Sequence, residues 1–253
     1  MSMMMMNPTH IRGMIFDYGG TIDSHGDHWS HVIREGYEAA GLKVGIEDFR
    51  EAYVYAEREL ARNPHILPSH NFYQLMLIKV EIEIGRLIEL KAATLSSLTL
   101  APQIALYCYR AAQSAVGEAK EVLSALSTRY PMVLVSNFYG NIHTILADFG
   151  IDRFFQTVIE SAVVGVRKPD PAIFALGVET LHLPASEVLV VGDSLTKDIA
   201  PAASLGCRTA WIEGRPWEGD GKKSVSASVS KPDVTITSLT ELLPILNRGS
   251  VNS

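Results

Sequence analysis

The chain has 253 residues, 47% hydrophobic and 20% charged, enough for one large core or for a core carrying a smaller inserted unit. A formal net charge of -6 without any basic run argues against a nucleic-acid or membrane-surface partner. The opening "MSMMMMNPTH" lacks a basic start with a long apolar stretch, no run approaches about 18 apolar residues, and Cys108 and Cys207 lack metal-type spacing, so the expectation is a soluble, cytoplasmic chain with reduced cysteines.

In chain order, residues 14–16 read as a first short buried strand, ending at Asp17. Helical periods follow at 28–40, 46–61, 72–88 and 100–112, a helical insertion large enough to be a subdomain. A further helix is expected at 117–128, with Ala119, Val122, Leu123 and Leu126 on one face. Strands at 132–136, 157–160, 188–193, 208–212 and 233–236 then alternate with helices at 141–149, 170–181, 197–205 and 238–246. The Gly- and Ser-rich stretch 213–231 reads as a long loop or hairpin. This alternation predicts an α/β fold, a Rossmann-like parallel sheet with helices on both faces and an inserted helical subdomain.

The polar residues fall where such a sheet would use them. Asp17, Ser136, Lys168 and Asp193 each come after the carboxyl end of a predicted strand, and those ends share the edge where open α/β sheets bind ligands. Taken singly, each is more often a turn or helix cap, and it is their order and company that point to a site.

Together, "FDYGGTID", "LVSNF", "VRKPDPAIF" and "VGDSLTKDI" resemble, in order, the four motifs of the haloacid dehalogenase (HAD) superfamily. The helical insertion resembles that family's C1-type cap, which implies a core of residues 1–23 and 114–253 and a cap of 24–113. The resemblance implies a Mg2+-dependent hydrolase of a small phosphorylated metabolite, acting through an aspartyl-phosphate on Asp17. By the same resemblance Asp17, the Gly19 carbonyl, Asp193 and Asp198 would hold the metal, with Asp198 either a ligand or just behind one. Clustered carboxylates repel one another by a few kcal/mol per pair at about 4 Å and an effective dielectric near 20, and oxygen ligands favour Mg2+. Ser136 and Asn137 would offer a hydroxyl and backbone N–H groups to the phosphoryl oxygens, Lys168 positive charge, and Thr21 a place beside Asp17 on a turn that Gly20 permits. Gly192 before Asp193 suggests a backbone that approaches a ligand closely.

One position departs from the pattern. Most phosphatases of the family carry a second aspartate two residues after the nucleophile, as general acid and base; here it is Gly19. That function is typically worth about 100-fold to 10,000-fold. Three readings follow: a phosphohydrolase with a good leaving group or with Asp23 or a cap histidine as the acid; phosphonatase-like or dehalogenase-like chemistry; or a phosphate-binding or partner-binding relative without turnover. A phosphonatase needs a Schiff-base lysine, for which Lys43, Lys79 and Lys91 are candidates, and the acidic "GDSLTKD" motif argues against a metal-free dehalogenase. His25, His28 and His31 have helix-like spacing suggestive of a metal site or of a substrate-facing surface, and Tyr18, Trp29, Arg34 and Tyr53 are candidates to shape the pocket.

Overall fold

A computed structural model describes residues 10–217 and 231–247. The opening segment 1–9 and residues 218–230 of the expected long loop lie outside the described residues. Six parallel strands form one sheet in the order β3-β2-β1-β4-β5-β6: β1 (Gly13–Phe16), β2 (Met132–Ser136), β3 (Thr157–Glu160), β4 (Val188–Gly192), β5 (Arg208–Ile212) and β6 (Val234–Ile236).

The strands are apolar at successive positions because both faces are covered. Met14, Phe16, Met132, Leu134, Leu189 and Val191 pack into the larger core cluster, whereas Ile15, Val133, Val135 and Val190 pack into a second one with Ile173 and Phe174. Between β1 and β2 the chain forms α1 (Trp29–Ala39), α2 (Ile46–Arg62), α3 (Phe72–Glu89) and α4 (Ala101–Ser127). Asn71 and Gln74 close a reciprocal capping box at the start of α3, which fixes where that helix begins.

The helices expected at 100–112 and 117–128 are one 27-residue helix. Gly117 interrupts the apolar pattern, and an interior glycine costs about 1 kcal/mol relative to alanine. Burial of Ala101, Ile104, Cys108, Ala112, Val116, Ala119, Leu123 and Leu126 along a single stripe offsets that cost. At about 1.5 Å per residue α4 extends roughly 40 Å, so a division at 113/114 falls inside an uninterrupted helix.

The rest alternates as expected, with α5 (Ile142–Phe149), α6 (Ser161–Val164), α7 (Ala172–Leu181), α8 (Ala200–Ser204) and α9 (Leu242–Asn247). The helix expected at 197–205 starts as a wider π-helical turn, Leu195–Ile199, capped by the Ser194 side chain, which accepts from Lys197 N–H. Cys108 and Cys207 are buried free thiols. Among the described residues no helix is long and apolar enough to cross a membrane.

Candidate active site

β1 delivers Asp17 to the carboxyl edge of the sheet, where its N–H donates to Val191 O at 3.0 Å and ties it to the end of β4. The chain then turns sharply. Gly20 has φ +96, and a Cβ there would lie 2.5 Å from Asp193 Cγ, so only glycine lets the β4 loop carboxylate sit against this turn. Asp23 Oδ1 holds the turn by accepting from Gly20 N–H at 2.8 Å. Thr21 Oγ1 lies between two acids, 3.1 Å from Asp17 Oδ2 and 3.3 Å from Asp193 Oδ1.

Lys168 reaches the same place by a longer route. It does not directly follow β3, because α6 intervenes, and its position is set instead by Asn137. Asn137 Oδ1 accepts from Lys168 N–H at 2.9 Å while Asn137 Nδ2 donates to Lys168 O at 3.1 Å. This two-point clamp aims Lys168 Nζ at Asp17 Oδ1 (2.5 Å) and Asp198 Oδ1 (2.7 Å). Asn137 therefore spends its side chain on Lys168, not on a ligand. Ser136 is buried at the last position of β2.

Asp198 is brought in by the π-helical turn, and its Oδ2 accepts from Ser194 N–H at 3.0 Å. A Cβ on Gly192 would meet Asp198 Cβ at 2.4 Å. Gly192, expected to let the backbone approach a ligand closely, makes room for Asp198, itself one of the residues expected to hold the metal.

One oxygen each from Asp17, Asp193 and Asp198 falls within a 4.8 Å span, the single group of metal-ligand type among the described residues. Burial raises the Asp17 pKa to about 6, Lys168 opposing and Asp198 adding to the rise. Burial, then the charges of Asp198 and Asp17, drive Asp193 well above the usual carboxylate range. Burial also disfavours the Lys168 ammonium, but Asp17 and Asp198 outweigh it and keep the lysine cationic. Three clustered carboxylates thus stand against one ammonium, which pairs directly with Asp17 and Asp198. The loop is open at one point: a Cβ on Gly19 meets nothing within 4 Å.

Facing this edge lies a polar and aromatic layer. Lys79 of α3 pairs with Glu57 of α2, and Tyr139, on the loop after β2, donates to the other Glu57 oxygen at 2.9 Å. Tyr53, His28 and Trp217 pack as tilted rings with centroids 5.0 to 5.5 Å apart. Residues 213–217 are strapped to the start of α1: Arg215 pairs with Asp27 (2.6 Å) and Glu35 (2.7 Å), and a Cβ on Gly214 would lie 2.3 Å from the Gly26 carbonyl carbon.

The remaining candidates separate. His25 is exposed and 3.8 Å from Glu118, His31 Nε2 lies 2.8 Å from Pro216 O, and His28 belongs to the aromatic layer, so the three histidines do not converge on a metal. Tyr18 is buried edge-on to Phe138, Trp29 packs on Phe72, and Arg34 sits 3.7 Å from Glu38. Of the Schiff-base candidates, Lys43 and Lys91 are exposed. Lys79 is buried, yet Glu57 and its neighbours more than offset burial and keep it protonated, which withholds the free amine such chemistry needs. Glu57, Tyr139 and Trp217 went unnoticed in the sequence. The usable signal was a charge on an apolar helix face: Tyr53, Glu57 and Leu60 share one stripe, as do Met76, Lys79, Val80 and Glu83.

A family profile for haloacid dehalogenase-like hydrolases matches residues 11–206, and the chain belongs to that family. It is 35% identical over 100 residues to a 5-amino-6-(5-phospho-D-ribitylamino)uracil phosphatase, YigB, of Escherichia coli (strain K12), covering 40% of each chain. It is 33% identical over 135 residues to a phosphoglycolate phosphatase of Pectobacterium atrosepticum, covering 53% of this chain and 55% of the relative. The matched stretches therefore span about half the length of these relatives or less. In fold it is similar to the magnesium-bound HAD-hydrolase YfnB from Bacillus subtilis, with a TM-score of 0.50, 22% identity, and 94% and 99% of the two chains covered.

Proposed function

We propose that the protein is a Mg2+-dependent phosphohydrolase of small phosphorylated metabolites, in which Asp17 attacks phosphorus and carries the phosphoryl group as an aspartyl-phosphate. The observation that carries this reading is the convergence of Asp17, Asp193 and Asp198 within 4.8 Å, with the Lys168 ammonium paired to Asp17 and Asp198. The donor set fits Mg2+: one carboxylate oxygen each from Asp17, Asp193 and Asp198 at the carboxyl edge of the sheet, three acids against one ammonium. Asp17, Asp193, Asp198 and the Gly19 carbonyl would hold it, and bound there it supplies charge that neutralises the acids and polarises a phosphoryl oxygen.

The chain's own groups supply the rest. Thr21 and Lys168 orient the Asp17 carboxylate and keep it ionised as nucleophile. Lys168 faces charge that develops on the transferring oxygens, and Ser136 with the backbone N–H groups after β2 offers further donors. Residues 24–113 serve as the cap over the edge. With Gly19 in place of an acid, the site favours esters whose leaving groups depart without a proton. Phosphatase names among the relatives support this reading over the haloacid one.

The test is orthophosphate release from a panel of phosphate monoesters. Turnover is expected with Mg2+, and not with EDTA or in Asp17→Asn; undiminished turnover in either case overturns the proposal.

A further inference from the structure

We propose that His28 determines specificity at this site: a neutral Nε2–H donor, set in the aromatic wall of Tyr53 and Trp217, that binds an acceptor oxygen in the leaving-group part of the substrate. The inference rests on the phosphohydrolase reading and adds a residue and a substrate feature to it.

The tautomer follows from geometry. His28 is the N-cap of α1, and its Nδ1 accepts from Ser30 N–H at 3.3 Å, with Ser30 Oγ 2.8 Å away. A backbone N–H can only donate, so Nδ1 carries no proton and Nε2 carries it. Among the described residues that Nε2–H has no hydrogen-bond partner. The cap bond holds one edge of the ring, while Tyr53 at 5.5 Å and Trp217 at 5.1 Å pack against it as neighbours of each other.

The placement points to substrate. His28 lies on the chain leaving the Asp17 loop, Trp217 on the loop after β5, and Tyr53 on α2. Glu57, in the same layer, is bound to Tyr139 from the loop that carries Ser136 and Asn137. The chain after β1, the loop after β5 and the helical insertion therefore meet at this imidazole, with the loop after β2 joined to the same layer through Glu57.

The charges facing it come from every side: Lys197 from the π-helical turn, Lys79 from α3 and His31 from α1 oppose an imidazolium, and Glu57 from α2 favours one. Burial and the lysines prevail and hold the pKa at about 3. His28 thus donates a hydrogen bond without donating a proton, which removes it as the substitute for the acid missing at Gly19. A phosphate ester bearing a hydroxyl, carbonyl or carboxylate oxygen beyond the phosphate is the matching ligand class.

Binding to the Mg2+-supplemented full chain, read as thermal stabilisation, tests this without requiring turnover. The probes are orthophosphate, 2-phosphoglycolate, glycerol 3-phosphate and ribose 5-phosphate. His28→Asn keeps a helix cap but is too short to reach, whereas His28→Gln restores an amide donor near the Nε2 position. The expected result is that at least one organic phosphate binds more tightly than orthophosphate. That preference falls roughly 10-fold in His28→Asn, recovers to within about 3-fold in His28→Gln, and is flat from about pH 5.5 to 8, while orthophosphate binds all three alike. Overturning results are a wild-type preference in His28→Asn, an equal loss for orthophosphate, or no organic phosphate exceeding orthophosphate. Failure of the phosphohydrolase reading appears differently, as binding preference without Mg2+-dependent turnover.

Discussion

Gly19→Asp tests what the site lacks. Position 19 is half-buried on the Asp17 loop, its backbone is not in the left-handed region, and an added Cβ meets nothing within 4 Å, so the substitution carries no steric cost. A carboxylate there shares the short Asp17 loop, and two like charges so close in the chain repel one another. That repulsion raises the new acid above the usual carboxylate range, in the direction a general acid near neutral pH needs. The assay is kcat/KM across phosphate monoesters of graded leaving-group basicity. Alkyl esters gain about 100-fold to 10,000-fold, p-nitrophenyl phosphate changes little, and the dependence on leaving group flattens. Gly20→Ala is the contrasting control, since its Cβ would strike the Asp193 carboxylate at 2.5 Å from a φ of +96. A Gly19→Asp protein with wild-type Tm and no gain on alkyl esters would refute the reasoning: proton transfer would not be what limits this enzyme.

Two further outcomes follow from packing and burial. Gly192→Ala forces a methyl to within 2.4 Å of Asp198 Cβ; overpacking of this kind costs about 1 to 3 kcal/mol, so calorimetry should show a lower Tm and titration a weaker Mg2+ response. Glu83, wholly buried with Oε1 lacking a partner and Oε2 accepting from Tyr37 at 2.9 Å, is raised by burial from 4.5 to about 7. The folded chain therefore keeps a proton that the unfolded chain releases, and stability falls as pH rises from about 4.5 to 7, by at most about 3 kcal/mol from this group. Glu83→Gln removes that slope, so denaturant melts should show it gaining on wild type across the window; parallel curves would exclude the assignment.

Much of this protein was legible because buried parallel strands announce themselves. Runs such as Val188–Gly192 are apolar at every position, and the first polar residue after each marks the sheet edge, which is how Asp17, Ser136 and Asp193 could be placed together. The boundaries of α1 to α3 were equally visible, since amphipathic period and capping residues are local signals. The motif already set Gly19 apart from Gly20; the tertiary structure adds that one faces open space and the other is pressed on Asp193. It likewise placed Lys168 through the Asn137 clamp, filled the space over Gly192 with Asp198, and fused two expected helices into α4. It also brought His28, Tyr53 and Trp217 into one wall. The sequence by itself determined the sheet, its order of motifs and which acids reach the edge, because periodicity and chain reversal are encoded within a few residues. What each side chain does there was decided only by the fold, because contacts between residues distant in the chain set its partners, its free space and its charge.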